Sequence, residues 1–290
     1  MQNDAPTISY VQESDNFIKR NLVNLIEVAT GRNQLTDIYR ILREDPFEIA
    51  LFLARGIELG RLDLDYNRHA ETQIPKEGPL VFIANHPFGI VDGLILCELA
   101  ARTRGDFRIL LNNRLMKDDN LNQFFLPVDF DGTREATKRN VDTKKEAQRL
   151  LQEGGTLIIF PAGGVATRWQ FGMGPLEDLP WTTFTAKIVR KSRATVVPLN
   201  FQGENSFLFH FASSLGESPR LSLFIREVTR QIGTTIRFTI GDPISYEDME
   251  HIESRKELTR FLKDKVESMA VEPSKPRLPI FSKPAQYSAR

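Results

Sequence analysis

The 290-residue chain has a single cysteine, no excess of either charge and no apolar run long enough to span a bilayer as a helix. Each shortage excludes something. With Cys97 alone there is no internal disulfide and no Cys-rich zinc site, and the protein suits a reducing compartment. Thirty-eight Lys and Arg balance 38 Asp and Glu, which argues against a dedicated nucleic-acid binder. Met1 to Tyr10 is polar and lacks the basic and apolar parts of a secretory signal. His69, His210 and His251 have no metal-ligand spacing and read as surface or packing residues, so no metal site is expected.

What is present is a globular composition, 41% apolar and 26% charged, enough for one large domain. The first third reads as helix. Asn16 to Ala29 spaces Phe17, Leu22, Leu25, Ile26 and Ala29 amphipathically, and Gln34 to Leu42 repeats the pattern before Asp45-Pro46 breaks it. Phe47 to Leu59 is more apolar, long enough to lie on a membrane or to pack on a core, and for an apolar helical face the core is the more usual place. From residue 79 short runs rich in branched and aromatic residues read as buried strands: 79–84, 107–111, 124–128, 156–160, 195–201 and 235–240. Helical segments over 90–103, 134–152, about 180–191 and about 246–269 lie between and after them.

This alternation predicts an α/β fold with a mostly parallel central sheet flanked by helices. The expected organisation is an N-terminal helical segment over 1–62, an α/β domain over 63–270 and a Pro-, Ser- and Lys-rich tail over 271–290. The run Phe207 to Phe211 reads as a core strand or a lipid-facing lip.

The stretch Val81 to Leu94, VFIANHPFGIVDGL, carries the first chemistry. A buried strand ends at Ala84, and His86 emerges where ligands sit in an open α/β sheet. Five residues separate His86 from Asp92. On one continuous helix the two would face apart, so they pair only if Pro87-Phe88-Gly89 turns before the helix begins. Paired, Asp92 would fix the His86 tautomer and raise the basicity of its other nitrogen. Unpaired, His86 is a capping residue and Asp92 a helix N-terminal acid.

A second stretch, GGTLIIFPAGGVATR, runs from a buried strand into Ala162, Gly163 and Gly164 and then Arg168. Small residues there let a ligand approach, and the arginine can hold an anionic head group or simply be solvated. Asn112, Asn113 and Arg114 follow another strand and are candidates to line a pocket, and Trp181 for its mouth or the core. Lys187, Arg190, Lys191 and Arg193 form a basic cluster that suits anionic lipid, an acidic carrier protein or plain solvent.

In this order the segments resemble the glycerophospholipid (lysophospholipid) acyltransferase superfamily, over roughly residues 60 to 245. NHPFGIVDG stands at its Asn-His block ending in Asp, FFLPVDFDG at its second block, IIFPAGGVATR at its Phe-Pro-Glu-Gly block and VVPLNFQG at its fourth. NHPFG..DG and FPAGG point to a hemolysin-like bacterial branch that includes lyso-ornithine lipid acyltransferases. The departures are a fifth residue between His and Asp, Ala162 in place of the glutamate, and Phe130 in place of a basic residue after Asp129. They weigh against phosphatidic-acid synthesis more than against acyl transfer.

The resemblance implies an O-acyltransferase that moves a fatty acyl group from acyl-CoA or acyl carrier protein to a lysolipid hydroxyl, with no cofactor. His86 and Asp92 would be catalytic. Asn85, Phe88, Gly89, Ala162, Gly163, Gly164, Arg168, Arg114 and Asp129 would border substrate, and amides near Phe88-Gly89 would hold the oxyanion. The superfamily's N-terminal part associates with membranes, which implies a peripheral protein on the cytoplasmic face of the inner membrane. Two rivals are a hydrolase using the same His–Asp pair and a non-catalytic membrane-binding protein. The oligomeric state is not implied.

Overall fold

The computed structural model describes residues 31–270 apart from 45, 116, 117 and 130. The expected helix at Asn16 to Ala29 and the tail from residue 271 therefore lie outside the described residues. In chain order the elements are α1 (Arg32–Leu42), α2 (Ile49–Leu59), β1 (Asp63–Tyr66), β2 (Leu80–Ala84), α3 (Ile90–Arg104), β3 (Arg108–Asn112), α4 (Asp119–Asn122) and β4 (Phe125–Val128). They continue with α5 (Arg134–Gln152), β5 (Thr156–Ile159), α6 (Phe184–Ser192), β6 (Thr195–Gln202), α7 (Phe207–Leu215), α8 (Glu217–Ser222), α9 (Phe224–Gln231), β7 (Thr235–Ile240), α10 (Tyr246–Met249) and α11 (Arg255–Glu267).

Seven strands form one sheet in the order β1-β7-β6-β2-β5-β3-β4. Every pairing is parallel except β6 with β7. The expected α/β fold is what the chain adopts. Strand β2 is buried along its whole length, and its pleat divides the core in two. Leu80, Phe82 and Ala84 face a layer built by α3 and Leu53 of α2. Val81 and Ile83 face the opposite layer, where α5, α6 and α11 contribute Leu151, Ile188 and Leu262. A smaller cluster of Val165, Phe209, Ala212, Leu223 and Phe224 fills the space under α7 and α9.

Helix α2 packs apolar residues inward. Leu53 is buried, and Ile49, Ala50, Phe52 and Ile57 pack against the same cluster, so its apolar face is used on the core. Two segments differ from expectation. Phe207 to Phe211 is helical rather than a strand, started by Ser206, whose side chain accepts from Phe209 N–H. The C-terminal helix is broken into α10 and α11, because Ser254 caps a new start.

Candidate active site

Parallel neighbours share an edge, so β6, β2 and β5 deliver their C-terminal loops to one place. The loop after β2 carries His86, the loop after β5 carries 160–181, and the loop after β6 carries Glu204 and Asn205. The turn that the His–Asp spacing requires is present. Gly89 sits at φ 84, just before α3 begins, a conformation glycine adopts without strain. A Cβ there would press to 3.1 Å on both Phe224 and Val165.

That turn brings His86 Nδ1 to 3.0 Å from Asp92 Oδ2. The same oxygen accepts the amide N–H groups of Phe88 and Gly89, both at 2.9 Å. Asp92 is fully buried, and its Oδ1 has no hydrogen-bond partner among the described residues. Burial pushes the Asp92 carboxyl up from its ordinary value, while His86 and the two amides pull it back. A carboxylate at Nδ1 makes that nitrogen the donor and leaves Nε2 as the basic lone pair. The His86 ring lies against Phe160, with ring centroids 3.8 Å apart.

The other expected residues divide. Because the Phe88 and Gly89 amides donate to Asp92, they are not oriented to hold an oxyanion, and Phe88 itself is a core residue over Gly203. Asn85 bridges strands instead of facing substrate: its Nδ2 donates to Phe201 O at 2.8 Å and its Oδ1 accepts Phe201 N–H at 2.7 Å. Ala162 is buried, and the Gly163 amide closes a turn onto Phe160 O. Gly164 lies against Leu179.

Asp129 sits at the end of β4, three strands from β2 and so about 14 Å away at ordinary strand spacing. Its carboxylate is occupied by Arg139, which holds it below the usual carboxylate range. Arg114 follows β3, two strands from β2, in a single turn, and its side chain lies outside the described atoms.

Arg168 does line a cleft. With Gly172, Met173, Gly174, Glu204, Asn205, Phe207 and His210 it encloses about 330 Å³. Its guanidinium meets Glu204 in a two-pronged pair, at 2.5 Å from Nε and 2.9 Å from Nη2. Buried His210 places Nε2 3.2 Å from Glu204 Oε2, and its Nδ1 accepts Arg168 N–H at 3.4 Å. Burial lowers the His210 imidazole below its ordinary value, against the pull of Glu204. Above this polar floor stands an apolar rim. Seven of the nine large apolar side chains exposed among the described residues gather there: Trp169, Phe171 and Met173 from the loop, and Phe207, Leu208, Phe211 and Leu215 from α7. Phe211 ties the two halves, with ring centroids 6.1 Å from Phe171 and 6.2 Å from Phe207.

The sequence does not mark Asp178, Glu204 and Asn205 as site residues, and His210 reads there as a surface or packing residue. No motif marks them, and each reaches the site only through the sheet order. Over residues 40–271 the chain matches the family described as acyltransferase. The chain belongs to the acyltransferase family. This acyltransferase is 28% identical over 201 residues to the lyso-glycine lipid O-acyltransferase of Phocaeicola vulgatus, which covers 67% of this chain and 69% of that one. It is 29% identical over 199 residues to the Bacteroides thetaiotaomicron protein of the same name, covering 66% and 70%. The crystal structure of the 1-acyl-sn-glycerophosphate acyltransferase PlsC from Thermotoga maritima aligns over 87% of this acyltransferase and 89% of that chain, at 16% identity and a TM-score of 0.47.

Proposed function

We propose that this acyltransferase moves a fatty acyl group from an acyl thioester, acyl-CoA or acyl carrier protein, to the hydroxyl of a lysolipid. The observation that carries the reading is the 3.0 Å contact between His86 Nδ1 and the buried Asp92 carboxylate at the C-terminal edge of the sheet. His86 Nε2 takes the proton of the acceptor hydroxyl as its oxygen attacks the thioester carbonyl. The C–S bond breaks, and the departing thiolate takes the proton back from the imidazolium. Asp92 stabilises that imidazolium while it lasts and never needs to accept the proton.

The two relatives are named for lyso-glycine lipid, and an amino-acid head group suits a chain with Ala162 where glycerophosphate enzymes carry glutamate. We take the 330 Å³ cleft lined by Arg168, Glu204 and His210 as the place for the acceptor head group. Its lining starts at Arg168, two residues beyond the Ala166 amide that donates to His86 O. Peripheral association with a membrane belongs to the same reading and is supported by the apolar rim, which borders the cleft through Met173 and Phe207. Among the described residues no helix is long and apolar enough to cross a membrane.

The test offers purified protein labelled acyl-CoA and acyl carrier protein against lyso-glycine lipid, lyso-ornithine lipid and lysophosphatidic acid, with His86→Ala as control. Acylated lipid that vanishes in the variant supports the reading and names the acceptor. Thioester loss without acylated lipid makes the protein a hydrolase. No turnover by folded protein with any pair removes the reading.

A further inference from the structure

His86 lies two residues beyond Ala84, the last residue of β2 paired in the sheet. The ladder therefore does not hold its backbone, and something else must fix the peptide groups that carry the ring Asp92 orients. The loop after β5 supplies it. Thr167 and Glu177 pair antiparallel and close a hairpin whose tip carries Trp169, Phe171 and Met173. The two feet of that hairpin hold the two polar groups of the His86 backbone. On one foot the Ala166 N–H donates to the His86 carbonyl at 2.8 Å. On the other, Asp178 Oδ1 accepts the His86 N–H at 3.3 Å. The second Asp178 oxygen accepts the Trp181 Nε1–H at 3.1 Å, which stops the carboxylate from swinging away.

We propose that Asp178 is a positioning residue for His86: anchored by Trp181, it holds the His86 backbone so that the ring meets Asp92 on one side and the acceptor hydroxyl on the other. This rests on the reading of His86 as general base. The physical reason is geometric. Rotation of an unsupported His86 peptide carries the ring off both Asp92 and the face of Phe160, and a displacement of about 1 Å at a reacting group costs on the order of 100-fold in rate. Asp178 is also partly buried, and burial pushes its carboxyl up from the ordinary value. A carboxylate is costly there unless its hydrogen bonds are used, and the two donors that use it are the catalytic peptide and its own anchor.

The experiment measures kcat and both KM values for the full chain carrying Asp178→Ala, Asp178→Asn, Trp181→Phe, and Asp178→Asn with Trp181→Phe. Thermal melts confirm folding, and proton NMR follows the low-field His86 Nδ1–H. Asp178→Ala should lower kcat about 10- to 100-fold with each KM within about threefold, and should broaden or shift that proton. In Asp178→Asn the amide either turns its NH2 to Trp181, donor against donor, or turns it to His86. The kcat should fall about tenfold in Asp178→Asn and about threefold in Trp181→Phe, which loses the anchor alone, and in the double variant, where the opposing donor is gone, it should recover to the Trp181→Phe level. This rescue decides the matter even where Asp178→Ala does not fold. Wild-type kcat in a folded Asp178→Ala, a rise in KM with kcat intact, or no recovery in the double variant each overturns the proposal. His86→Ala in the same assay separates the two readings. If it stays active, the general-base reading falls; if it is dead while Asp178→Ala matches wild type, only the positioning role falls.

Discussion

Asp92 Oδ2 accepts from His86 Nδ1 at 3.0 Å and from the amides of Phe88 and Gly89 at 2.9 Å each, so the turn and the dyad depend on one oxygen atom. The fifth residue between His and Asp is accommodated because this turn folds around the carboxylate it must deliver. The backbone amides orient Asp92, and Asp92 orients His86.

Asp92→Asn keeps an oxygen that can accept the two backbone amides and removes the charge that stabilises the imidazolium. The kcat should fall about 10²- to 10⁴-fold, as for loss of a general base, while the protein stays folded, because the retained oxygen still accepts the amides that form the turn. His86→Ala should lose a similar factor. Steady-state release of thiol from acyl-CoA or acyl carrier protein in the presence of lysolipid measures both. An Asp92→Asn variant with wild-type kcat would show that the pair is only a helix cap.

Asn85 makes a different prediction from the one its motif position suggests. Both ends of its amide are taken by the backbone of Phe201, tying the end of β2 to β6. Asn85→Ala should therefore cost about 1–3 kcal/mol of stability by leaving those groups unpaired. It should leave the acceptor KM near the wild-type value. Urea unfolding and acceptor titration distinguish this from a binding role, which would raise KM at unchanged stability.

Asn85 also shows how the sequence was legible and where it was not. The central strands could be placed to within a residue because β2 and β5 are buried on both faces and read as unbroken apolar runs. Strand β1, Asp63–Tyr66, is not legible in the sequence: it lies at the sheet edge, alternates exposed and half-buried residues, and its charges look like a loop. FLFHF at 207–211 is too short to show a period, so only Ser206 ahead of it signals a helix. His86 and Asp92 were found because they lie in one continuous motif. Asp178, 92 residues from its partner His86, could not be.

His210 predicts a loss of stability on acidification. Its imidazole is buried and lowered in the folded protein, with Glu204 and Arg168 as the charged groups facing it. The unfolded state therefore binds the more protons as pH falls below the ordinary histidine value of about 6.5. Stability then falls with pH down to the folded-state value, by no more than about 1.4 kcal/mol per pH unit for one proton. Melts from pH 8 to pH 5 should show this slope, and His210→Gln should flatten it. A slope that survives His210→Gln belongs to another group.

The apolar rim makes the last prediction. Phe207 is 63% and Phe171 55% exposed, so neither contributes much to the core. Their exposure on two elements around one cleft has no folding rationale, and a bilayer surface is the environment in which aromatic side chains of this kind gain by leaving water. Removing apolar area from that contact costs about 25 cal/mol per Å². The double substitution Phe171→Ser with Phe207→Ser should therefore weaken binding to vesicles of anionic and zwitterionic lipid at least tenfold, with the melting temperature almost unchanged. Helix α2, which spends its apolar face on the core, should behave oppositely: Leu53→Ser should lower the melting temperature, and the protein that remains folded should still bind. Vesicle co-sedimentation of both variants decides between the two surfaces. Undiminished binding by the double variant would place membrane contact away from the rim.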